Sequence, residues 1–598
     1  MRKWKKYITA FALCLVMLFG SVAFVGCGKA ADGTYYVVSY DLNYDGGGTR
    51  SMHMPAGAEV ADWKATREGY NLTGWYSDAG ATKAYDFGKK LDKDLTLYAG
   101  WREKPGVAAV TFDFGCRGAV NRTIETEKEK TIDTRYIPEH ERLGMNFTGW
   151  YTDDARTARW DFTADKVAES MTLYAGYEFD PRFVARDGQG NIVYENVNVQ
   201  VWNALAWFLP HAKLEKLAED FNAQYEGKIN VNVVSEFTTQ EAVMLRLQQT
   251  PELMTSIDNY YSIADVFDAA GIEFEYDDWY AGASKESVKG GVMMQLPMAG
   301  IAPYIVYNKT LMKKYNGDRP LPQNYAQLSR LLREAYAGES GGNENFSTLV
   351  STSDWTFKEA PSFVAFMQND APYYRYDGKN GFYNDWTDPA VKARAETAVT
   401  NTYNLFGADG ADHGNATYSW DGAAIDAVKK GSALMAMTSW RDAASIVAGD
   451  SELDVMPVSG LFTDETGAAA MSVPVHTMGF AFYKHASSVN SAQMCAAALF
   501  ADYVVKNAYV FAEDAFVPLH RSAAENAAYV DSENAVVKLL RTVCNPECFV
   551  TLDGNKNLKP IVNTTVAEGF LLPMLSDEAP NVAALTENLR VQVTGQVY

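Results

Sequence analysis

The 598-residue sequence has little positive charge, little histidine and little cysteine. Its 53 Lys and Arg residues are outnumbered by 75 Asp and Glu residues, which gives a net charge of −22. A nucleic-acid binder usually carries a basic footprint, so this function is excluded. The seven His residues show no spacing typical of a metal site, and no pair of the six Cys residues has a nearby His to complete a zinc site. The sequence therefore predicts neither a metal nor a cofactor.

The sequence also lacks the short motifs of common catalytic sites. It contains no Gly-x-Ser-x-Gly, no His-Glu-x-x-His and no Gly-rich phosphate loop ending in Lys-Ser/Thr. Among 75 carboxylates some pair always resembles a glycosidase dyad, and only the separation of the two groups in space can identify one. We therefore predict that the protein is not an enzyme.

The composition is that of a folded protein rich in aromatic side chains. Hydrophobic residues make up 47% and charged residues 21%, and the length allows three to five domains. Thirteen Trp, 35 Tyr and 29 Phe residues supply rings for hydrophobic cores and for stacking against flat ligands.

The first 26 residues have the layout of an export signal. Four basic residues precede an uncharged stretch from Tyr7 to Gly26. The end of this stretch, Phe24-Val-Gly-Cys27, resembles a bacterial lipoprotein signal, which implies removal of residues 1–26 and lipidation of Cys27. An uncleaved membrane anchor is the alternative, because the uncharged stretch is long enough to span a bilayer. Either interpretation places the rest of the chain outside the cytoplasmic membrane. The sequence has no second long apolar run, so it does not predict a permease.

Two segments that follow the signal repeat each other. Gly69–Tyr76 reads Gly-Tyr-Asn-Leu-Thr-Gly-Trp-Tyr, and 75 residues later Gly144–Tyr151 reads Gly-Met-Asn-Phe-Thr-Gly-Trp-Tyr. Leu95–Trp101, with its Tyr-Ala-Gly centre, returns 76 residues later as Met171–Tyr177. An alternating, half-buried strand opens each unit, Val38–Leu42 in the first and Val110–Phe114 in the second.

These units resemble the Listeria–Bacteroides repeat of internalins and other bacterial surface proteins. The resemblance implies two small β-grasp-like modules, which we place at residues 35–103 and 107–179. Such small cores need large side chains to fill them, so the repeated aromatic residues are expected to pack inside. The modules are either spacers that hold the next domain away from the membrane or sites of adhesion.

A different pattern begins near Tyr194. Val197–Val201 alternates like a strand, the helix predicted from His211 to Tyr225 carries apolar residues at positions i, i+3, i+4 and i+7, and Lys228–Val234 alternates again. A strand, a helix and a strand at this spacing form a βαβ unit of an open α/β sheet.

This region is similar to the family-1 extracellular solute-binding proteins of ABC importers. The resemblance covers about residues 195–598, and five segments carry it in the family's order: Val201–Asn203, Leu217–Asn222, Pro303–Leu311, Gly431–Trp440 and Met478–Lys484. It implies an α/β, two-lobed, periplasmic-binding-protein-like (type II) fold with a hinge. The chain would cross between the lobes near residues 303–309 and 476–484, and the lobes would close on a ligand.

The family's ligand positions, placed on this sequence, imply seven binding residues. Aromatic rings suit the apolar faces of sugars, and Asn, Asp and Arg suit their hydroxyl groups. The first two candidates follow the first strand, at the strand end where open α/β sheets bind ligands. The seven residues are Asn203, Trp207, Asp258, Tyr260, Trp355, Trp440 and Arg441. For each of them the alternative is a place in the hydrophobic core.

The resemblance implies a receptor that hands a carbohydrate, an oligosaccharide above all, to an ABC permease and ATPase encoded as separate chains. We expect a monomer, lipid-anchored on the outer face of the membrane of a Gram-positive-type bacterium. Two alternatives remain open. One is a surface adhesion or glycan-scavenging protein that acts through its repeats, and the other is the same fold with a peptide, polyamine or other solute.

Overall fold

The computed structural model divides the chain into two compact units, Met1–Phe179 and Asp180–Tyr598. It describes residues 35–44, 48–55, 57, 59–60, 62–237, 245–343, 345–352, 363–376, 382–407, 409–417, 421–438, 441–484, 491–552, 554, 561 and 581–597. The predicted export signal and its Cys27 lie outside these residues.

The first unit consists of two four-stranded sheets of the same topology. The strand orders are β2-β1-β4-β3 and β6-β5-β8-β7, with β1 parallel to β4, β5 parallel to β8 and every other pair antiparallel. The strands are β1 (Tyr35–Asp41), β2 (Thr49–Pro55), β3 (Tyr70–Tyr76), β4 (Leu95–Glu103), β5 (Val107–Asp113), β6 (Arg122–Glu127), β7 (Met145–Tyr151) and β8 (Met171–Phe179).

The repeated aromatic residues pack inside each sheet unit. The Trp75 ring is buried and meets the Tyr40 ring edge-on at 4.8 Å, and Trp150 meets Phe112 in the same way at 4.8 Å. The glycine of each Tyr-Ala-Gly motif is also explained by packing. A Cβ on Gly100 would lie 2.3 Å from the Tyr76 ring, so this position has no room for a side chain.

The two repeats are joined by a short and closely packed junction. Lys104 pairs with Glu125, and the Gly69 N–H donates to Glu125 Oε1 at 2.7 Å. Gly69 has a φ of +76°, and a Cβ there would lie 2.7 Å from the Ala109 Cβ. Side chains and backbone of both repeats therefore take part in one interface.

Gly69→Ala is expected to loosen this junction by about 1–3 kcal/mol more than Gly106→Ala does, because only the first substitution creates a clash. Gly106 has a similar φ of +73°, and a Cβ added there would meet no atom within 4 Å, so it controls for backbone strain alone. Native-state hydrogen exchange of the backbone amides of β3 and β5 measures the difference. Equal effects of the two substitutions would contradict a tight junction.

The second unit contains two larger sheets, which we call lobe 1 and lobe 2. Lobe 1 has the strand order β10-β9-β11-β23-β14-β24 and lobe 2 the order β19-β16-β20-β15-β21. The strands of lobe 1 are β9 (Val197–Asn203), β10 (Ile229–Val234), β11 (Leu245–Gln249), β14 (Leu296–Ile301), β23 (His476–Phe482) and β24 (Val517–Pro518). The strands of lobe 2 are β15 (Tyr304–Asn308), β16 (Ser347–Thr352), β19 (Asn415–Thr417), β20 (Ala433–Thr438) and β21 (Leu453–Pro457).

Short strand pairs and helices complete this unit. The short strands are β12 (Val288–Lys289), β13 (Val292–Met293), β17 (Arg375–Tyr376), β18 (Phe382–Tyr383), β22 (Val473–Pro474) and β25 (Phe549–Val550). The helices are α1 (His211–Gln224), α2 (Thr250–Met254), α3 (Ile263–Ala270), α4 (Ala281–Ser284), α5 (Lys309–Asn316), α6 (Tyr325–Glu339), α7 (Pro389–Phe406), α8 (Asp421–Lys429), α9 (Arg441–Ala448), α10 (Ser491–Lys506), α11 (Arg521–Ala524), α12 (Ala527–Val530), α13 (Ala535–Val543) and α14 (Val582–Val597).

The βαβ unit at the start of lobe 1 forms as its pattern predicts. The buried face of α1 consists of the four apolar residues at helical spacing, Leu214, Leu217, Ala218 and Phe221. Strands β9 and β10 are parallel, with Val197 paired to Ile229 and Trp202 to Val234.

The chain passes between the lobes at two places. Ala302 and Pro303 connect β14 of lobe 1 to β15 of lobe 2, and Val475 connects β22 to β23 on the way back to lobe 1. A third segment accompanies the return, because β25 pairs in parallel with β22. These segments are where the two lobes can bend relative to each other.

Among the described residues, no single helix is both long and apolar enough to cross a membrane; only α10 together with the following 3₁₀ helix Ala508–Asp514, at a bend of 50°, meets the length and composition required. The cysteines in the described part of the chain, Cys116, Cys495, Cys544 and Cys548, are free thiols. The small disulfide loop that the spacing of Cys544 and Cys548 would allow is therefore not formed.

Candidate ligand-binding cleft

The strands of both lobes end at the crossings. In lobe 2, Tyr304 at the start of β15 pairs with Thr438 at the end of β20 and with Pro457 at the end of β21. In lobe 1, Ile301 at the end of β14 pairs with His476 at the start of β23. Because β9, β10 and β11 are parallel and β11 runs opposite to β23, their carboxyl ends also point toward the crossings. Open α/β sheets bind ligands at such strand ends, so the candidate site lies there.

Asn203 lies at the end of β9 but is fully buried. Its Oδ1 accepts from the Leu205 N–H at 3.0 Å, and its Nδ2 lies 3.3 Å from His211 Nδ1. The side chain therefore fixes the loop between β9 and α1 and would act on a ligand by positioning that loop.

Trp207 stands on the same loop, and its side chain is 75% exposed. The ring rests on Phe208 at a centroid distance of 5.3 Å, and Phe208 in turn meets Phe516 edge-on at 5.4 Å. The exposed Trp207 ring is thus supported from below by Phe208 and Phe516, and such an exposed aromatic ring can stack against the flat face of a ligand.

Asp258 and Tyr260 lie at the opposite end of lobe 1. Tyr260 forms a β-bridge with Tyr483, just beyond β23, whereas the crossing lies at His476. Seven strand residues separate these ends by about 23 Å. Asp258 is exposed there, with its Oδ1 2.8 Å from Lys289 Nζ. The structure therefore places Asn203 and Trp207 on one loop and Asp258 and Tyr260 on another segment. Asn203 lies level with Phe480 through Leu247, so Tyr260 is about three strand residues, roughly 10 Å, beyond it.

Tyr260 belongs to a polar-aromatic cluster on the lobe 1 sheet. Its hydroxyl accepts from Arg246 Nη1 at 3.0 Å, and the Arg246 guanidinium lies 4.8 Å from the Trp202 ring centroid. Phe237, which is 47% exposed, packs against Trp202 at a centroid distance of 4.7 Å. Burial and the neighbouring Tyr260 raise the pKa of the Tyr483 hydroxyl to about 12, so this hydroxyl keeps its proton at neutral pH.

The remaining predicted contacts follow the strand ends of lobe 2. Trp355 and Trp440 lie outside the described residues, three positions beyond β16 and two positions beyond β20. Arg441 begins α9, and its side chain is not described. These three residues stay predictions that rest on their place in the sequence shortly after β16 and β20.

A buried polar cluster at the return crossing was not predicted from the sequence. Thr477, the second residue of β23, has its Oγ1 2.6 Å from Thr250 Oγ1 and also in contact with Glu286 Oε1. All three side chains are buried. Burial raises the pKa of the Glu286 carboxyl to about 8, while hydrogen bonds from Thr477 act in the opposite direction. The one signal in the sequence is the polar pair His476-Thr477 before the apolar run of β23.

Gln368 organises the lobe 2 side of the same crossing. Its Nε2 donates to Val458 O at 2.9 Å and to Ser472 O at 3.0 Å, and its Oε1 accepts from the Phe462 N–H at 2.9 Å. The side chain is fully buried. It therefore holds the segment between β21 and β22, which leads directly into the crossing.

Each of the two units matches a known protein family. The Listeria–Bacteroides repeat domain matches residues 36–100 and 109–176, and the bacterial extracellular solute-binding protein matches residues 209–510, about half of the chain. Among curated proteins, Internalin H of Listeria monocytogenes is 34% identical over 119 residues, 19% of this chain and 20% of that protein. A protein of Evansella cellulosilytica is 34% identical over 158 residues, 26% of this chain and 22% of that protein. The chain thus spans about a fifth of the length of these relatives.

Two solved structures show the fold of the second unit. The cyclic alpha-maltosyl-1,6-maltose binding protein from Arthrobacter globiformis has a TM-score of 0.50 at 14% identity, covering 67% of this chain and 99% of that chain. The sugar-binding protein MalE from Xanthomonas citri has a TM-score of 0.50 at 11% identity, covering 67% of this chain and 97% of that chain. The predicted two-lobed type II fold, preceded by two repeats, is confirmed. The chain belongs to the bacterial extracellular solute-binding proteins and carries two Listeria–Bacteroides repeats ahead of its solute-binding unit.

Proposed function

We propose that this protein is the receptor of an ABC importer and captures a carbohydrate, an oligosaccharide above all, between its two lobes. Membership in the solute-binding family supports binding rather than catalysis. The two solved structures of the same fold are described as binding proteins for sugars. The observation that carries the proposal is the exposed Trp207 ring on the crossing edge of lobe 1.

The geometry favours capture by hinge closure. A ligand on Trp207 would meet the segments that follow β16 and β20 when lobe 2 swings toward lobe 1, and the predicted contacts Trp355, Trp440 and Arg441 follow those strands in the sequence. Because contacts with both lobes exist only in the closed form, the ligand shifts the population toward that form. The permease and ATPase, as separate chains, would recognise the closed receptor.

The rest of the chain fits a receptor that stays at the cell surface. Lipidation of Cys27 after removal of residues 1–26 would anchor a monomer to the outer face of the membrane. The two closely joined repeats would then act as a spacer that lifts the solute-binding unit away from the lipid surface.

Trp207→Ala is expected to weaken oligosaccharide binding at least tenfold, about 1.4 kcal/mol, because buried aromatic contacts dominate binding energy. Stability should change little, since the ring is exposed. Isothermal titration calorimetry with the sugar found by screening measures the effect. Tyr136→Ala, which removes a 49% exposed ring in the second repeat, is the matched control and should leave the affinity unchanged. Unaltered binding by Trp207→Ala would remove this ring from the site.

The match of the first unit to the Listeria–Bacteroides repeat keeps adhesion as a second candidate function. Deletion of residues 28–178 separates the two. A receptor keeps its ligand affinity without the repeats, whereas an adhesin loses attachment to its surface partner.

A further inference from the structure

The hinge of the solute-binding unit contains a carboxyl group that pairs with no Lys or Arg of the described residues. This group, Glu286, lies in the segment 281–287, here called the hinge turn, and is buried beside the return crossing. Its side chain contacts Thr477 at the start of β23, and its backbone N–H donates to Thr551 Oγ1 at 3.1 Å. Thr551 follows β25, which pairs with β22 just before the crossing, so Glu286 contacts both the start of β23 and the segment after β25.

Other contacts show how tightly this turn is held. The Thr551 hydroxyl donates to Gly282 O at 2.8 Å, and the Gly554 N–H donates to Lys285 O at 3.1 Å. A Cβ on Gly282 would lie 1.8 Å from Phe549 O, which leaves no space between the hinge turn and β25. The carboxyl therefore sits in a packed joint, where an ionised group could gain water only if the joint opened.

The burial of this carboxyl away from any Lys or Arg of the described residues favours the form that keeps its proton. The hydroxyl groups of Thr477 and Thr250 each bring a proton of their own, so they can serve the carboxyl in either state. Burial raises the pKa of Glu286 to about 8, so the group carries this proton at neutral pH.

The described titratable groups around Glu286 offer no free cation that would stabilise its ionised form. On its own segment and the strand after it, Lys285 is exposed and Lys289 Nζ lies 2.8 Å from Asp258 Oδ1. From α2 comes the half-buried Glu252, and from β23 comes His476, whose pKa is lowered to about 4 by burial, so that it is neutral above pH 5. The described residues of 549–554 and of β13 and β14 include no acid, base or histidine.

We propose that Glu286 is a proton-controlled lock at the base of the hinge: its neutral carboxyl holds the start of β23, directly after the return crossing, against the hinge turn, and release of the proton loosens that contact. In mild acid, where Glu286 holds its proton, the hinge moves between the open and closed forms less readily. In mild base, where the proton is lost, it moves more readily. It depends on the two-lobed fold and not on which solute is bound.

Hydrogen–deuterium exchange of the full chain between pH 6 and pH 9, without ligand, tests the lock. After correction for the intrinsic pH dependence, protection of residues 281–287 and 476–482 should fall about tenfold per pH unit up to pH 8 and level off above it. In Glu286→Gln the same protection should not vary with pH, and Ser347–Thr352 in lobe 2 should show no such slope in either protein. A flat profile in the unmodified protein, or the same slope in Glu286→Gln, would overturn the proposal.

A second pair of variants decides the matter even where Glu286→Gln does not fold. Thr477→Val removes a hydroxyl that stabilises the ionised carboxyl, so the pH at which protection levels off should rise. Thr477→Ser keeps the hydroxyl and should leave that pH unchanged. An identical profile in both variants would contradict the role of the Glu286–Thr477 contact. Because no solute is present, these outcomes are independent of whether the proposed carbohydrate binds.

Discussion

Asp412→Ala is expected to destabilise the solute-binding unit by about 3–5 kcal/mol. The Asp412 side chain is fully buried in lobe 2, where its carboxylate accepts from the Tyr325 hydroxyl at 2.8 Å and from the Ser329 hydroxyl at 2.6 Å. Arg333 Nε donates to it as well, at 2.8 Å. Alanine leaves two buried hydroxyl groups without this acceptor, and each such loss costs about 1–3 kcal/mol.

The ionic part of this loss should be small. The Arg333 side chain is 51% exposed, so its charge stays hydrated when the carboxylate is gone. Urea unfolding followed by tryptophan fluorescence measures the loss of stability. The exposed Asp409, three positions earlier, provides the control, since Asp409→Ala should change stability by no more than about 0.5 kcal/mol. Similar stability of Asp412→Ala and the unmodified protein would contradict the network.

Glu286→Gln is expected to stabilise the protein more at pH 8 than at pH 5, by a difference of about 4 kcal/mol. The pKa of Glu286 is raised by burial from 4.5 to about 8. Between these values the folded chain holds a proton that the unfolded chain has released, so the stability of the unmodified protein falls as the pH rises. Above pH 8 both states are ionised and the slope ends. Glutamine has no proton to lose and shows no such slope.

The measurement is the free energy of unfolding of Glu286→Gln minus that of the unmodified protein, from urea titrations at pH 5, 6.5 and 8. Taking the difference cancels the contributions of the other carboxylates. Glu252→Gln, a half-buried carboxylate on α2, is the matched control and should show no comparable trend. A pH-independent difference for Glu286→Gln would show that this carboxyl is ionised in the folded protein at neutral pH.

Local periodicity was sufficient to predict the frame of the molecule. The apolar spacing of Leu214, Leu217, Ala218 and Phe221 placed α1 on the sheet, and the repeated Trp-Tyr motifs predicted two modules of one kind. Both signals lie within short stretches of chain, where neighbouring side chains determine which face is buried.

The contacts that hold the hinge could not be predicted in this way. Thr477 and Glu286 are 191 residues apart, and Thr477 and Thr250 are 227 residues apart. Such pairs meet only once the crossings are formed. The position of Tyr260 could not be predicted either, because it depends on strand register. The pairing of Tyr260 with Tyr483 places it at the end of β23 away from the crossing. The resemblance supplied Trp207 as a candidate, but its exposure follows from packing on Phe208.

The measurement that most directly tests the central claim is a thermal-shift screen of residues 28–598 against mono- and oligosaccharides, polyamines and Fe³⁺. A ligand at 100 times its dissociation constant adds about 2.7 kcal/mol to the stability of the native state, which raises the melting temperature by a degree or more. The proposed function predicts a rise with one class of oligosaccharide that is reduced in Trp207→Ala and retained in Tyr136→Ala. A rise with a polyamine or Fe³⁺ and with no sugar would contradict carbohydrate capture.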